Sequence, residues 1–200
     1  MALDLLRRSD RDRETFGDRV PPGQKVTDGF PVLTYGGAPR IDLKDWRFQI
    51  GGEVEEQRTL TWEEFNALPQ TTISCDIHCV TGWSKMDNEW QGVPFLEVMK
   101  LVRPKPAAQH VMVHSYGGYT TNVPLADLTH DNVLFAHTHN GKPLPAEHGG
   151  PLRLVVPHLY FWKSAKWARG LLFMNDERPG FWEMYGYHIR GDPWKEERYA

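Results

Sequence analysis

The stretch of sequence that does most to decide fold and function reads Ser74-Cys75-Asp76-Ile77-His78-Cys79-Val80-Thr81-Gly82-Trp83-Ser84. It contains both cysteines of the chain, together with a histidine, an aspartate, hydroxyl side chains and a glycine beside a tryptophan. Residues 71–75 are typical of a strand that runs into a loop. Reactive side chains on a loop anchored by a rigid strand are a common way to build a site. Cys79 is therefore the first candidate for a functional side chain.

The composition favours one reduced, globular domain. The chain has 200 residues, is 40% hydrophobic and carries a net charge of −3, so it can bury a core and offers no basic run that favours nucleic acid. Two cysteines are too few for a disulfide framework, which predicts a cytoplasmic protein. The sequence shows no secretory signal and no apolar run of the roughly 20 residues that a transmembrane helix needs.

The chain divides into two parts on composition. Residues 1–28 are charged and then rich in proline and glycine, which predicts an N-terminal arm that wraps the domain or stays mobile. Residues 29–200 form the predicted domain. No internal repeat or low-complexity segment interrupts it.

Local patterns predict mostly strands. Trp46, Phe48 and Ile50 alternate with polar residues, as in a half-buried strand, and Thr61 with Glu64 fits the capping box of a short helix. A helix is predicted over 95–102, a central strand over 152–156, further strands over 111–113, 119–123, 133–136 and 171–174, and turns over 90–94 and 137–141. Because strands dominate without a β-α-β rhythm, we predict an α+β domain with mixed or antiparallel sheets.

Three roles for Cys79 are open from the residues alone. It could be a buried structural thiol. It could bind zinc together with Cys75, His78, His137 and His139, although the spacing differs from the usual Cys-x-x-Cys knuckle. It could also be a nucleophile or a thiolate ligand to a softer redox metal.

The histidines at 137 and 139 suggest proton transfer. In an extended segment both imidazoles would lie on one face, and His137 is our candidate for handling protons. For His139 we favour an ordinary surface histidine at a turn.

An anion site is predicted further along the chain. Arg153 opens an apolar strand after His148-Gly149-Gly150, and a buried cation there requires an anion such as phosphate or a protein carboxylate. Lys163, Ser164 and Lys166 follow ten to thirteen residues later, where lysines three apart can converge on a polyanion.

Three motifs in series resemble the molybdopterin-binding domain of the sulfite oxidase family, over about residues 30–199. They are Cys79-Val80-Thr81-Gly82-Trp83-Ser84, then His148-Gly149-Gly150-Pro151-Leu152-Arg153-Leu154-Val155-Val156-Pro157, then Trp162-Lys163-Ser164-Ala165-Lys166-Trp167. The resemblance implies an α+β fold with mixed sheets that holds one molybdenum, which a pterin dithiolene and one protein cysteine ligate. Cys79 matches that cysteine. The cofactor contacts implied by the same resemblance are Tyr35, Ser115, His148, Arg153, Ser164, Ala165 and Lys166.

The departures from the family pattern bear on the substrate. Sulfite oxidases follow the cysteine with an arginine-bearing segment, where this chain has the neutral Gly82, Trp83 and Ser84, and they place a tyrosine where His137 stands. Methionine sulfoxide reductases of the family have asparagine in place of His148. We therefore expect two-electron oxygen-atom transfer, with reduction of S-oxides or N-oxides favoured over sulfite oxidation.

The resemblance also leaves alternatives and implies a partner. A molybdopterin-binding module without turnover, or a sulfite oxidase, would carry the same motifs. Trp83 and Trp90 are expected to shape the pocket. Because no haem domain is present, electron transfer is expected to need a separate redox partner, such as a cytochrome or a membrane haem protein.

Overall fold

The structure, a computed structural model, describes residues 11–200 and contains two β-sheets connected by short helices. The strands are β1 (Lys25–Val26), β2 (Arg47–Gly52), β3 (Arg58–Thr61), β4 (Thr71–His78), β5 (Trp83–Pro94), β6 (His110–Ser115), β7 (Thr120–Pro124), β8 (Leu134–His139), β9 (Lys142–Pro143), β10 (Arg153–Val155) and β11 (Ala168–Met174). Residues 11–16 are helical. Further α-helices span Trp62–Asn66, Phe95–Val102, Leu125–Leu128 and Phe181–Met184, and 3-10 helices span Gly17–Arg19, Ala146–His148 and Phe161–Lys163.

Both sheets are mixed, as the sequence predicts. The six-stranded sheet has the order β1-β5-β8-β10, with β4 also pairing with β5 and β9 with β8. The five-stranded sheet has the order β3-β2-β11-β6-β7. Parallel pairing occurs between β1 and β5 and between β2 and β11, and the other pairs are antiparallel.

The main hydrophobic core joins the two sheets and the helix Phe95–Val102. Phe48 of β2, Phe173 of β11 and Phe135 of β8 are all within this core and at most 1% exposed. A smaller cluster, built around Trp90 and Ile77, belongs to the six-stranded sheet alone. The layered arrangement places the ends of β4, β5, β10 and β11 near one another, where the site described below is formed.

Several local predictions are confirmed. Phe48 and Ile50 are buried and alternate with exposed residues in β2. The hydroxyl of Thr61 accepts from the Glu64 amide, and the Glu64 carboxylate accepts from the Thr61 amide, which completes the predicted capping box. The helix Phe95–Val102 begins directly after Pro94.

Three local predictions are wrong. Residues 90–94, expected to form a turn, are the last part of the twelve-residue strand β5. Residues 137–139, also expected in a turn, extend β8, and the turn follows at Asn140. The strand predicted as central over 152–156 is β10, whose one partner among residues 11–200 is β8, while β11 is the middle strand of the other sheet.

The described part of the predicted N-terminal arm, residues 11–28, lies against the domain. Its strand β1 pairs with the start of β5, so that Lys25 lies opposite Trp83 and Val26 opposite Ser84. Gln24, directly before β1, is fully buried. Residues 1–10 of the predicted arm lie outside the described residues. No helix among residues 11–200 is long and apolar enough to cross a membrane.

Candidate active site

Cys79 lies in a tight turn between two paired strands. The preceding strand β4 ends at His78, and β5 begins at Trp83. The Cys79 amide donates to the Trp83 carbonyl at 2.8 Å, and the Gly82 amide donates back to the Cys79 carbonyl at 3.0 Å. Gly82 has a φ of +95°, a conformation that side-chain-bearing residues rarely adopt. The sequence Cys-x-x-Gly therefore folds into a turn that presents the thiol beyond the edge of the strands.

The thiol of Cys79 faces a cavity of about 400 Å³. Six of the nine predicted site residues line it, namely Cys79, Tyr35, Arg153, Ser164, Ala165 and Lys166. The first of these comes from the turn after β4, and the others come from the segment before β2, from β10 and from the connection to β11. The structure thus brings together residues that are up to 131 positions apart in the chain (Tyr35 to Lys166).

Arg153 is a buried cation without a carboxylate partner among the described residues. It is 1% exposed. Its guanidinium donates at 2.8 Å to the carbonyls of His148 and Ser164, and it stacks over the ring of Phe161 at 4.0 Å. Burial lowers its pKa to about 9. Because neutral carbonyls compensate a buried charge only in part, this end of the cavity favours an anionic ligand.

Lys166 adds a second positive charge at the same end. Its ammonium group donates to the carbonyl of Glu147 at 2.7 Å and to that of Leu33 at 3.0 Å. Burial, followed by the charge of Arg153, lowers its pKa to about 8. Gly149 permits this packing, because a Cβ there would lie 3.1 Å from the Cα of Lys166.

The wall near Cys79 is aromatic. Trp162 and Tyr187 meet edge to face at 5.1 Å, and Trp182 and Tyr187 pack at 5.1 Å with an angle of 32°. Trp83 packs against the same cluster, which includes Cys79 and Val80 of the cysteine turn. All four line the cavity, whose described lining contains no aspartate or glutamate. The lining therefore combines two cations, Arg153 and Lys166, with a cluster of aromatic side chains packed around Cys79.

Cys79 itself is mostly buried. Its sulfur lies 3.1 Å from the Thr81 hydroxyl. Burial raises the pKa of the thiol, while the Thr81 hydrogen bonds and the charges of Arg198 and Lys166 oppose that rise. A metal ion would supply the additional positive charge that stabilises the thiolate.

Three predicted site residues do not line the cavity. His137 binds the Gln70 side chain and the Thr138 hydroxyl, each at 2.9 Å, so the predicted proton donor lies away from Cys79. Ser115 ends β6, with its hydroxyl buried and unpaired. The ring of His148 stacks at 3.8 Å on Phe30, which does line the cavity.

The zinc interpretation of Cys79 has no support among residues 11–200. The side chains there that could jointly hold a metal are Asp127, His130 and His158, which do not include either cysteine. Burial raises the pKa of Cys75 to about 12, so that thiol stays protonated in its apolar surroundings. His139 Nε2 donates to the Asn88 side-chain oxygen at 3.1 Å. Trp90 is buried beneath Arg153 instead of lining the cavity.

Comparison with known proteins identifies the family. The profile described as "Oxidoreductase molybdopterin binding domain" matches residues 35–182. The chain belongs to this family. The fold and the enzyme class predicted from the sequence are thereby confirmed, and the chain is a molybdopterin-binding oxidoreductase.

Relatives and a solved structure agree with this assignment. The chain is 50% identical over 183 residues to an uncharacterized oxidoreductase of Bacillus subtilis strain 168, covering 91% of this chain and 92% of that one. It is 32% identical to the catalytic subunit of a protein-methionine-sulfoxide reductase of Xanthomonas axonopodis pv. citri, covering 78% and 55% respectively. The sulfane dehydrogenase SoxCD of Paracoccus pantotrophus is similar with a TM-score of 0.64 and 25% identity, over 70% of this chain and 41% of that one.

The residues of this molybdopterin-binding domain fit the cofactor of its family. A pterin phosphate would balance the positive charges of Arg153 and Lys166, which the protein compensates only in part. A soft metal would suit a buried thiol as a ligand. Among the described residues, the indole nitrogen of Trp83, which lines the cavity, is buried without a hydrogen-bond partner, and so is Nδ1 of His148, whose ring stacks on the cavity residue Phe30. Such atoms are uncommon in folded proteins unless a ligand or water completes them.

Several residues of the site are not predicted by the sequence. Phe30, Trp162, Trp182 and Tyr187 line the cavity, and Gln24 donates to the carbonyl of Cys79 at 3.1 Å. The signal for the two C-terminal aromatics was present, because residues 181–194 are too apolar for a free tail. Nothing in the sequence around Gln24 indicates its contact, since it depends on the parallel pairing of β1 with β5.

Proposed function

We propose that this protein is a molybdenum-dependent oxidoreductase that reduces S-oxides or N-oxides of small neutral molecules. The observation that carries the proposal is the composition of the cavity lining. Its described lining contains two cations, Arg153 and Lys166, both suited to the cofactor phosphate, and no acid. The side chains packed around Cys79 are mostly aromatic, and they include Trp83, Trp162, Trp182 and Tyr187. A neutral oxide loses less hydration free energy than an anion on entering such surroundings.

Each residue then has a defined role. Cys79 provides the thiolate that ligates molybdenum. Arg153 and Lys166 bind the pterin phosphate, and Ser164, Ala165 and His148 form the backbone and side-chain surface around it. Tyr35 covers the cavity mouth, where it packs against Phe181 at 4.9 Å and is 70% exposed. When bound, the cofactor supplies the two-electron oxygen-atom chemistry, and the protein holds it and controls access.

The environment of the cysteine turn argues against sulfite. A sulfite dianion needs clustered positive charge to leave water, and a sulfite oxidase would supply it with an arginine after the cysteine. In this chain the nearest cation in sequence is Lys85, whose ammonium group donates to the Asp28 carbonyl at 3.0 Å and does not line the cavity. Trp83 instead places an aromatic wall at that position.

The protons and electrons that oxide reduction consumes must come from outside the described cavity wall. Reducing a sulfoxide to a sulfide consumes two electrons and two protons and releases one water. His137 was the predicted proton donor, but its ring lies away from the cavity and burial lowers its pKa. We therefore propose that solvent at the open mouth supplies the protons.

We further propose that a separate redox protein, a cytochrome or a membrane haem protein, delivers the electrons. In support, the relative from Xanthomonas axonopodis pv. citri carries a name that describes it as the catalytic subunit of a protein-methionine-sulfoxide reductase. A subunit by definition works with another chain. The cytoplasmic location predicted from the cysteine content is also part of this proposal.

Steady-state assays on matched substrates test the function. With an artificial electron donor, we expect turnover of dialkyl sulfoxides and amine N-oxides. With an artificial acceptor, we expect the kcat/KM for sulfite oxidation to be at least about tenfold lower than the kcat/KM for oxide reduction. This ratio corresponds to a difference of roughly 1.4 kcal/mol in transition-state binding. A Trp83→Arg variant should improve sulfite turnover at the expense of the oxides.

Other outcomes assign other functions. Efficient sulfite oxidation with micromolar KM and no oxide turnover would make the protein a sulfite oxidase. Full cofactor content without turnover of either substrate class would make it a binding module.

A further inference from the structure

The Cys79 turn is held from two sides by segments outside the matched domain. The family match covers residues 35–182, yet the turn contacts Gln24 on the N-terminal side and Arg198 on the C-terminal side. These two residues are 174 positions apart in the chain. Both contacts are made to backbone carbonyls of the turn itself.

The N-terminal contact is buried and part of a network. Gln24 is 0% exposed, and its amide nitrogen donates to the Cys79 carbonyl at 3.1 Å. Its amide oxygen accepts from the Ser84 hydroxyl at 3.4 Å, and that hydroxyl lies 2.8 Å from His78 Nδ1. The next backbone amide, that of Lys25, donates to the Gly82 carbonyl at 3.0 Å. One side chain and one strand thus fix both ends of the turn.

The C-terminal contact acts on the next peptide group. The Arg198 guanidinium donates to the Val80 carbonyl and reaches the Pro22 carbonyl at 3.4 Å. It also stacks over the Tyr160 ring at 5.2 Å, which limits its freedom to move. Arg198 therefore ties the turn to the N-terminal segment as well as to the domain.

The peptide groups on both sides of the Cys79 Cα are held by hydrogen bonds. The preceding group is held through the Cys79 amide, which donates to the Trp83 carbonyl at 2.8 Å, and the following group through the Cys79 carbonyl, which accepts from Gln24. Holding both groups restricts the backbone dihedrals that aim the Cys79 side chain, and Arg198 holds the next peptide group at the Val80 carbonyl. A metal ligand must be held within roughly 0.5 Å and 10–20° of its working geometry by its supporting residues. Hydrogen bonds from charged or buried donors are well suited to this, because they weaken steeply when misaligned.

We propose that Gln24 and Arg198 are positioning residues for Cys79, so that the chain's two terminal segments complete the metal site of the domain. The proposal rests on the proposed role of Cys79 as the molybdenum ligand. It differs from a general packing role, because both side chains act on the turn that carries the ligand.

The chain offers a matched control for packing. Arg190 also holds the C-terminal segment to the domain, with its guanidinium 3.0 Å from Asp127. It makes no described contact with the Cys79 turn. An Arg190→Gln variant therefore loosens the same segment without removing a contact to the turn.

Amide hydrogen exchange and paramagnetic resonance test the proposal together. In cofactor-free Gln24→Met and Arg198→Gln proteins, we expect the amides of Cys79 and Gly82 to exchange at least about tenfold faster than in the wild type. In the cofactor-loaded proteins, we expect the g-values of the odd-electron molybdenum state to change. Arg190→Gln should leave both readouts unchanged.

The outcomes are distinguishable. Unchanged exchange and unchanged g-values in both folded variants, or equal changes in Arg190→Gln, would overturn the positioning role. If Arg198→Gln does not fold, Arg198→Lys can be used instead. It keeps the positive charge but replaces the planar guanidinium donor by an ammonium group, and the same two readouts apply. Faster exchange in a protein that binds no molybdenum would overturn the proposed metal site while retaining the effect on the turn.

Discussion

Two buried cations, ten residues apart, are compensated in different ways. Lys163 is 0% exposed, and its ammonium group lies 2.5 Å from the Glu183 carboxylate and 2.8 Å from the Asn122 carbonyl. Arg153 is equally buried, but its described partners are backbone carbonyls and aromatic faces. Lys163 is neutralised within the fold, whereas Arg153 lines the cavity.

The difference separates a structural cation from a binding cation. Burying a charge is costly unless a counter-charge is fixed beside it. Where the fold supplies the carboxylate, as for Lys163, the counter-charge offsets the cost of burying the cation. Where it does not, as for Arg153, the cost is recovered only when an anion binds.

Removing the carboxylate of the structural pair should have the largest effect on stability. Glu183→Gln leaves Lys163 buried without its counter-charge, so we expect the free energy of unfolding to fall by about 3–5 kcal/mol. Urea denaturation of the cofactor-free protein measures it. Asp176→Asn, which removes the exposed partner of Arg178, is the control and should unfold like the wild type. A similar midpoint for Glu183→Gln and the control would show that the pair is not needed.

Removing the binding cation should affect the cofactor instead. Arg153→Met eliminates an incompletely compensated charge, so we expect the cofactor-free protein to lose far less stability than Glu183→Gln does. Binding of the phosphate should weaken by about 2–5 kcal/mol, which lowers the pterin and molybdenum content of the purified protein. Full occupancy in Arg153→Met would mean that this guanidinium does not bind the cofactor.

The second binding cation should show itself in the pH dependence of stability. The pKa of Lys166 is lowered from 10.5 to about 8, so between these values the unfolded chain binds the proton and the folded cofactor-free protein does not. Stability linked to Lys166 therefore rises with pH across this range. We expect Lys166→Gln to raise the free energy of unfolding of the cofactor-free protein most strongly below pH 8, relative to the wild type. This gain should shrink as the pH approaches 10.5. A difference independent of pH would contradict the lowered pKa.

The smallest effect is expected at His137. Its ring lies away from both charged regions, in contact with Gln70 and Thr138. We expect His137→Ala to change the rate of oxide reduction by less than about threefold, whereas loss of a general acid costs roughly 100-fold or more. A large loss with an altered pH profile would restore the proton-donor role predicted from the sequence.

The sequence revealed Arg153 but not the partner of Lys163, for a physical reason. An arginine at the start of an apolar strand indicates, from that one position alone, that a positive charge is buried at a high cost in free energy. Lys163 and Glu183 are 20 residues apart, and their pairing depends on how the helix Phe181–Met184 packs. Likewise, motifs around Cys79 predicted the ligand, while the contacts from Gln24 and Arg198 require the tertiary fold.

The mistaken turn at 90–94 has a similar explanation. Gly92 and Pro94 are typical turn residues, but in β5 the glycine allows close approach between strands. A Cβ on Gly92 would lie 1.9 Å from the Phe135 carbonyl oxygen of β8. A glycine within a strand often marks such an approach, and sequence alone does not distinguish it from a turn.

The central claim is that Cys79 and the cavity beside it hold a molybdenum cofactor. The most direct measurement is X-ray absorption at the molybdenum edge of the purified wild-type and Cys79→Ser proteins, with metal content determined in parallel. We predict molybdenum in the wild type and the loss of one sulfur neighbour from the metal in Cys79→Ser, because serine replaces a soft thiolate ligand by a harder oxygen. A wild-type protein without molybdenum, or an unchanged sulfur environment in Cys79→Ser, would contradict the account.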